Sequence, residues 1–260
     1  MTEILKTQGL SRYFGAVTAA EDINVTITQG EIVGVIGANG AGKTTFINMV
    51  TGYLPPSEGS IFFNGRPIKG LGPRKLMHEG LARSFQIPQL FLELPVIDNL
   101  AIALSAAQHD HLQMLRPVRT AKRLAAADDI LEQMGITQYR DEMVTAMPQG
   151  ARKLLDIAIA MLGNPRMLLL DEPTSGVSME EKHALMDTVM EIVKRRSLTV
   201  LFVEHDMEIV QKYVTRVMAF ASGVVIKDGP VEEVLADEQV QTLVTGKRRH
   251  TSTATEQGDV

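Results

Sequence analysis

The segment with the clearest chemical potential is a glycine-rich loop at residues 37–44, which reads GANGAGKT. It fits the pattern G-x-x-x-x-G-K-[ST], in which glycines let successive backbone N–H groups point at phosphate oxygens. Lys43 can reach the terminal phosphates, and the Thr44 hydroxyl is a ligand for Mg²⁺. The loop therefore predicts a site for a nucleoside triphosphate, without deciding between a kinase, a GTPase and a motor.

Two adjacent carboxylates follow an apolar run at residues 167–170, which reads MLLL. Ligands of open α/β sheets bind outside the carboxyl ends of the strands, where Asp171 and Glu172 would lie. We expect Asp171 to hold Mg²⁺, directly or through water, and Glu172 to act as general base on an attacking water. An alternative is that Asp-Glu-Pro-Thr only marks a helix start, with Pro173 in its first turn. The phosphate loop favours the catalytic interpretation.

The elements that must position these groups are visible as apolar patterns. Residues 1–36 read as strands, and the last of these, 31–36, runs directly into the phosphate loop, with a helix predicted over 44–50. The pattern is helical from about 95 to 147. After residue 152, helices alternate with apolar strands at 166–171, 198–203 and 217–220. Such alternation predicts a parallel sheet with crossover helices.

The amino-acid composition indicates a globular protein and argues against several other classes. The chain has 260 residues, 45% hydrophobic, and 26 basic against 31 acidic side chains give a net charge of −5. This composition excludes wholesale disorder, and the mild acidity argues against nucleic acid as the main partner. The absence of cysteine excludes disulfides and thiolate sites. No apolar run approaches the ~20 residues of a spanning helix, so we expect a membrane role only through a partner.

Together with a glutamine and a histidine in the right order, these motifs resemble the ATP-binding subunit of an ABC transporter over about residues 3–246. Ser84-Phe85-Gln86 resembles the Q-loop, 43 residues after Lys43, and residues 203–206 (VEHD) resemble the switch-histidine segment, 34 residues from Asp171 to His205. The resemblance implies that Gln86 senses Mg²⁺ and the attacking water, and that His205 contacts the γ-phosphate. We interpret Arg83 and Ser84 as ordinary loop residues.

The same resemblance implies the fold and the ligands. The fold would be α/β, a P-loop NTPase core with an N-terminal antiparallel β subdomain and an α-helical subdomain at about 87–160. The ABC ATP-binding domain would span 1–246, before a polar tail at 247–260 that carries a basic run and is expected to fray. The cofactors would be ATP and Mg²⁺, with Phe14 stacking on adenine and Tyr13 as the neighbouring candidate. Catalytic roles would fall to Glu172, His205, Gln86 and Lys43, and metal binding to Thr44, Gln86 and Asp171. The residues expected to bind ATP are Phe14, Gly37, Asn39, Gly40, Ala41, Gly42, Lys43, Thr44 and Thr45.

Within the family, residues 81–100 and the run 203–207 (VEHDM) look most like the branch that powers importers of branched-chain and related hydrophobic amino acids or amides. The lipopolysaccharide-exporter ATPase is a close relative and stays open as an alternative. So do a soluble ABC ATPase and, from a different class, a small-molecule kinase. The branch implies two permease subunits, a periplasmic binding protein acting indirectly, and a place on the cytoplasmic face of the inner membrane.

One segment departs from the family pattern. Where members carry Leu-Ser-Gly-Gly-Gln, or Leu-Ser-Tyr-Gly-Gln in this branch, residues 147–151 read MPQGA, so the signature-like residues are Pro148, Gln149 and Gly150. Pro148 has neither a hydroxyl nor an N–H to offer a γ-phosphate. Because the family binds ATP between two subunits, we expect a heterodimer with a second ATP-binding subunit that has a full signature. Two alternatives are that backbone groups suffice, or that the chain is a regulatory subunit that does not hydrolyse ATP.

Overall fold

The computed structural model describes residues 2–86, 88–107 and 117–244. The predicted tail, 247–260, with its basic run, lies outside the described residues. The strands are β1 (Glu3–Phe14), β2 (Val17–Thr28), β3 (Ile32–Gly37), β4 (Glu58–Phe63), β5 (Arg66–Pro67), β6 (Leu81–Ser84), β7 (Met167–Asp171), β8 (Thr199–Val203), β9 (Arg216–Ala221) and β10 (Val224–Pro230). The helices are α1 (Lys43–Val50), α2 (Pro73–His78), α3 (Val96–Ala107), α4 (Ala121–Gln133), α5 (Gln149–Met161), α6 (Met179–Arg195), α7 (Met207–Tyr213), α8 (Val231–Ala236) and α9 (Glu238–Leu243).

The N-terminal region forms a four-stranded antiparallel sheet in the order β2-β1-β4-β5. Leu5 of β1 pairs with Ile27 on one side and with Phe63 on the other, and all three side chains are buried. Alternation of buried and exposed residues gives such a sheet one face for the core and one for solvent. The predicted antiparallel β subdomain is confirmed.

The second sheet has six strands in the order β10-β9-β3-β8-β7-β6. All its pairs are parallel except β10 with β9. Every residue of β7 and β8 is buried, as expected when both faces of a parallel sheet are covered. This sheet confirms the predicted α/β core.

Alternate residues of the parallel strands face different layers. Leu168 and Leu170 pack with residues of α3 to α6, whereas Leu169 packs in a second cluster with α1 and the antiparallel sheet. The parallel sheet is thus the middle of three layers. The helix α4 lies within the stretch predicted to be helical, and the Thr120 hydroxyl caps it by accepting a hydrogen bond from the Arg123 N–H.

The structure corrects one interpretation in this region. Arg83 and Ser84 are not loop residues but the end of β6, which pairs in parallel with β7 so that Arg83 lies opposite Leu169. A four-residue strand that contains a charged side chain has no apolar pattern of its own, and the pairing with β7 determines its conformation.

Among the described residues, none of the helices is long and apolar enough to cross a membrane.

Candidate nucleotide-binding site

The phosphate loop connects β3 to α1, as the strand–loop–helix pattern predicted. Gly42 directly precedes the helix with φ 101°, and a Cβ there would lie only 2.7 Å from the Ala19 carbonyl oxygen, so only glycine fits. Phe46 of α1 packs on Phe220 of β9 with 5.4 Å between ring centres. The helix is therefore fixed on the sheet with its N-terminus at the loop, where the positive end of its dipole favours an anion.

Lys43 is buried within the loop. Its ammonium donates hydrogen bonds to the carbonyl oxygens of Gly37 at 2.6 Å and Ala38 at 3.0 Å. Burial lowers the pKa of Lys43, and the nearby Glu172 and Asp171 carboxylates oppose that shift. The loop thus carries a cation close to both carboxylates of the acidic pair.

A cavity of about 230 Å³ lies over the loop. Its walls combine the phosphate loop with β2 and with the residues that follow β7 and β8. It is lined by Val17, Thr18, Ala19, Asn39, Gly40, Ala41, Gly42, Lys43, Thr44, Thr45, Glu172 and His205. The structure therefore brings Glu172 and His205, which follow neighbouring strands, to the same opening as the phosphate loop.

The Glu172 carboxylate is held by two other residues that the motifs had identified. The Gln86 side-chain amide donates to Oε2 at 2.6 Å, and Nε2 of His205 lies 2.8 Å from Oε1. The Glu172 backbone is left-handed, with φ 48°, and its N–H donates to the Val203 carbonyl at 2.9 Å. For a residue other than glycine this conformation costs ~1–3 kcal/mol and is characteristic of functional sites.

Glu204, immediately before His205, is a buried carboxylate, and its hydrogen-bond donors in the described part of the chain are all neutral. One of its oxygens accepts hydrogen bonds from the Thr174 N–H at 3.1 Å and from the Thr174 hydroxyl at 2.5 Å. The other accepts from the His205 N–H at 3.0 Å. These contacts tie the residues around His205 to Thr174, in the turn after Glu172. They therefore help to fix the distance between the His205 and Glu172 side chains.

Asp171 is paired with a residue that sequence reasoning missed. Nη2 of Arg83 lies 2.6 Å from Oδ2 of Asp171, and the two side chains are only 9% and 11% exposed. Nη1 of Arg83 donates to the Asn48 side chain at 2.7 Å, and the guanidinium stacks near the rings of Tyr53 and Phe85. The sequence carries no local signal for this pair, because β6 has no strand pattern of its own and the two residues are 88 positions apart.

A second missed residue is Lys153 in α5, whose ammonium donates to the carbonyl oxygens of Gln86 and, at 3.3 Å, of Glu172. One turn further along the helix, the Asp156 carboxylate accepts from the Phe85 N–H at 3.0 Å. Burial raises the pKa of Asp156, and the hydrogen bonds from the backbone N–H groups oppose that shift. In the sequence both residues look like ordinary polar positions of an amphipathic helix.

The signature-like segment, Pro148 to Gly150, is separate from the cavity over the phosphate loop. Pro148 is the N-cap of α5 and provides no side-chain capping bond. The Gln149 side chain lies against Gly176, and Gly150 lies near Val177, in the turn after the acidic pair. None of these three residues lines the cavity over the phosphate loop.

Phe14 stands at the end of β1 and is 48% exposed. The Arg12 guanidinium covers one face of its ring, 4.6 Å from the centre. The cavity over the phosphate loop takes its wall from the following strand, at Val17, rather than from Phe14. The stacking of Phe14 on adenine therefore stays a prediction.

The oxygen donors near the loop suit a hard cation such as Mg²⁺. Thr44 is exposed in the first turn of α1 and lines the cavity with Glu172. Asp171 has one oxygen engaged by Arg83, and the Gln86 side chain contacts Glu172. Within residues 2–86, 88–107 and 117–244 there is no cluster of three histidine or acidic side chains able to hold a metal alone. Mg²⁺ commonly binds through one or two carboxylates together with phosphates and waters, so this donor set fits it.

Comparison with known proteins agrees with this geometry. The ABC transporter family profile matches residues 20–175. The "Probable branched-chain amino acid transport ATP-binding protein LivG" of Archaeoglobus fulgidus is 34% identical over 247 residues, covering 94% of this chain and 96% of that protein. The "High-affinity branched-chain amino acid transport ATP-binding protein BraF" of Pseudomonas aeruginosa is 32% identical over 256 residues, covering 94% and 98%.

Solved structures give the same result. The ADP conformation of an ATP-binding cassette of an ABC transporter superimposes with a TM-score of 0.85 at 30% identity, covering 95% of this chain and all of that one. A nucleotide-free ATP-binding cassette from an ABC transporter gives 0.83, also at 30% identity, covering 92% and 97%. With the phosphate loop, the acidic pair and the fold in agreement, the chain belongs to the ABC transporter family, as an ATP-binding subunit whose ATP hydrolysis is coupled to transport.

Proposed function

We propose that this chain binds Mg·ATP and hydrolyses it to power import of branched-chain or related hydrophobic amino acids or amides through membrane permease partners. The observation that carries the catalytic part is the position of the Glu172 carboxylate, held by Gln86 and His205 at the mouth of the phosphate-loop cavity. The import part is supported by the names of relatives that are 31–34% identical over 94% of the chain.

In this proposal the phosphate loop and Lys43 hold the triphosphate, and Phe14 stacks on the adenine. Thr44, Asp171 and Gln86 hold Mg²⁺, which would neutralise charge on the phosphate oxygens. Glu172 accepts a proton from the attacking water, Gln86 orients that water, and His205 contacts the γ-phosphate. The hydrogen bonds on both oxygens of Glu172 favour these roles, because a general base must be held in a fixed orientation toward its proton.

The assembly in this proposal is a heterodimer with a second ATP-binding subunit, bound to two permeases at the cytoplasmic face of the inner membrane. A periplasmic binding protein delivers substrate to the permeases, and nucleic acid has no part. The weak signature supports the heterodimer. Pro148 brings neither hydroxyl nor N–H to the start of α5, so a homodimer would have two impaired sites.

Reconstitution in proteoliposomes tests the transport part. The chain is assembled with the second ATPase, the permeases and the binding protein encoded by neighbouring genes, and ATP-dependent uptake of labelled leucine, isoleucine and valine is measured. Uptake should require the phosphate loop and disappear with Lys43→Ala. Robust ATP turnover without uptake of any hydrophobic amino acid or amide would contradict the assigned substrate class.

The heterodimer is tested separately by comparing ATP turnover of the chain alone, of the second ATPase alone and of the mixture. The mixture should turn over ATP faster than the sum of the separate subunits. Equal, robust turnover by the isolated chain would contradict the heterodimer without affecting the ATPase assignment.

A further inference from the structure

The ammonium of Lys153 is buried in an unusual way. Lys153 is only 2% exposed, yet among the described residues its hydrogen bonds go to two backbone carbonyls, those of Gln86 and Glu172, and not to a carboxylate. Burial lowers the pKa of Lys153, and Asp156 is the first of the nearby carboxylates that oppose the shift. Burying an ammonium whose direct hydrogen bonds go to carbonyl groups is costly even with carboxylates nearby, which points to a purpose for these contacts other than stability.

One of the two carbonyl groups that Lys153 contacts belongs to Glu172, whose backbone is strained. Glu172 has φ 48°, a conformation that side-chain-bearing residues avoid unless the surroundings impose it. Its N–H donates to Val203 at 2.9 Å, while its carbonyl accepts both from the Ser175 N–H at 3.1 Å and from Lys153. These bonds fix the backbone from which the Glu172 carboxylate projects.

The other carbonyl group that Lys153 contacts belongs to Gln86, whose side chain holds Glu172. The same face of α5 carries Asp156, three residues after Lys153, which accepts the Phe85 N–H at 3.0 Å. Two successive residues of the Q-loop, Phe85 through its N–H and Gln86 through its C=O, are thus anchored to one turn of α5. That helix begins at Gln149, directly after Pro148, so its first turn is the signature-like segment.

We propose that Lys153 is a positioning residue. It fixes the backbones of Gln86 and Glu172 relative to each other and ties both to α5, the helix that begins in the signature-like segment. The inference rests on the proposed ATPase function. It follows that Gln86, Glu172 and α5 move as one unit, so that a subunit closing on the first turn of α5 acts directly on the orientation of the general base.

The test uses the complete transporter and compares Lys153→Met, which has a similar length but no donor, with Lys153→Arg, which keeps donors and charge. We expect K153M to lower ATP turnover by about tenfold or more, because it removes a charge-assisted hydrogen bond. The affinity for Mg·ATP should stay within about threefold of wild type. K153R should recover part of the turnover. Exposed Lys194 of α6 provides the control, since K194M should change nothing.

Two further measurements separate positioning from general damage. Amide hydrogen exchange should quicken at Phe85, Glu172 and Ser175 in K153M, with the phosphate loop unchanged. In a Gln86→Ala background, K153M should cost much less turnover than it does alone, because one of the two groups it positions is already gone.

The outcomes separate the inference from the proposed function. Normal wild-type turnover that is abolished by Glu172→Gln supports the ATPase assignment whatever Lys153 does. Wild-type turnover and wild-type exchange rates in K153M overturn the inference alone, as does an equal loss of turnover and nucleotide affinity. If K153M does not fold, Lys153→Gln replaces it, and wild-type turnover in K153Q overturns the inference in the same way.

Discussion

The imidazole Nε2 of His205 lies 2.8 Å from Oε1 of Glu172, although 33 residues separate the two in the sequence. The contact exists because β7 and β8 are parallel neighbours whose carboxyl ends meet at the same edge of the sheet. With Gln86 on the other oxygen, the carboxylate is oriented from two sides next to the phosphate loop. This arrangement makes Glu172 the most informative residue to change.

Glu172→Gln removes the basic carboxylate while keeping the shape of the side chain. Turnover of the reconstituted pair should fall by about 10²–10⁴-fold, the usual contribution of a general base, whereas ATP affinity should be retained. Steady-state hydrolysis and equilibrium nucleotide binding measure the two effects. The corresponding carboxylate of the second ATPase is the control, and its substitution should cost less. Turnover within tenfold of wild type would contradict the assigned role.

Arg83→Met should destabilise the protein by about 3–5 kcal/mol, because it leaves the Asp171 carboxylate buried without its cation. Urea unfolding at pH 7 measures the change. Arg119 is the matched control, since it pairs with Asp98 at the same 2.6 Å but is 58% exposed, and R119M should have little effect. The double variant R83M/D171N should recover part of the loss, and an additive loss would contradict the pairing argument.

Pro148→Ser supplies the hydroxyl that the signature-like segment lacks. Turnover by the isolated chain should rise by about ten- to a hundredfold, since a hydrogen bond to a charged group contributes ~1.5–3 kcal/mol. Pro148→Ala separates the two missing groups, because it restores the N–H without the hydroxyl. P148A should fall between wild type and P148S. Unchanged turnover in both variants would show that the first turn of α5 does not limit hydrolysis.

Phe14→Ala should weaken ATP binding by about two- to tenfold, the range for loss of one aromatic stacking contact. Inorganic tripolyphosphate should bind the variant as it binds the wild type, because it carries no base. Phe91, which is also an exposed phenylalanine, provides the control, and F91A should leave ATP affinity unchanged. Equal effects of F14A on ATP and on tripolyphosphate would exclude adenine stacking.

Motif and periodicity predicted the parts of the site that are encoded locally. The loop at 37–44 specifies its own backbone through its glycines, and β7 is recognisable as an apolar run that ends in Asp171. The role of Arg83 could not be predicted in this way, because its partner lies 88 residues away on another strand. Lys153 was equally hidden, since only the fold places a helical lysine beneath the carbonyl groups of Gln86 and Glu172.

The strand order has a consequence for how the protein is made. β3, which leads into the phosphate loop, lies between β8 and β9, with Ile32 opposite Val200 and Val33 opposite Arg216. At the usual speed of synthesis a ribosome needs about 10–40 s to progress from residue 37 to residue 221. The strand has neither neighbour until β8 is complete at residue 203, and it lacks β9 until residue 221, so the nascent chain carries an unpaired apolar edge that favours aggregation before the nucleotide site can form.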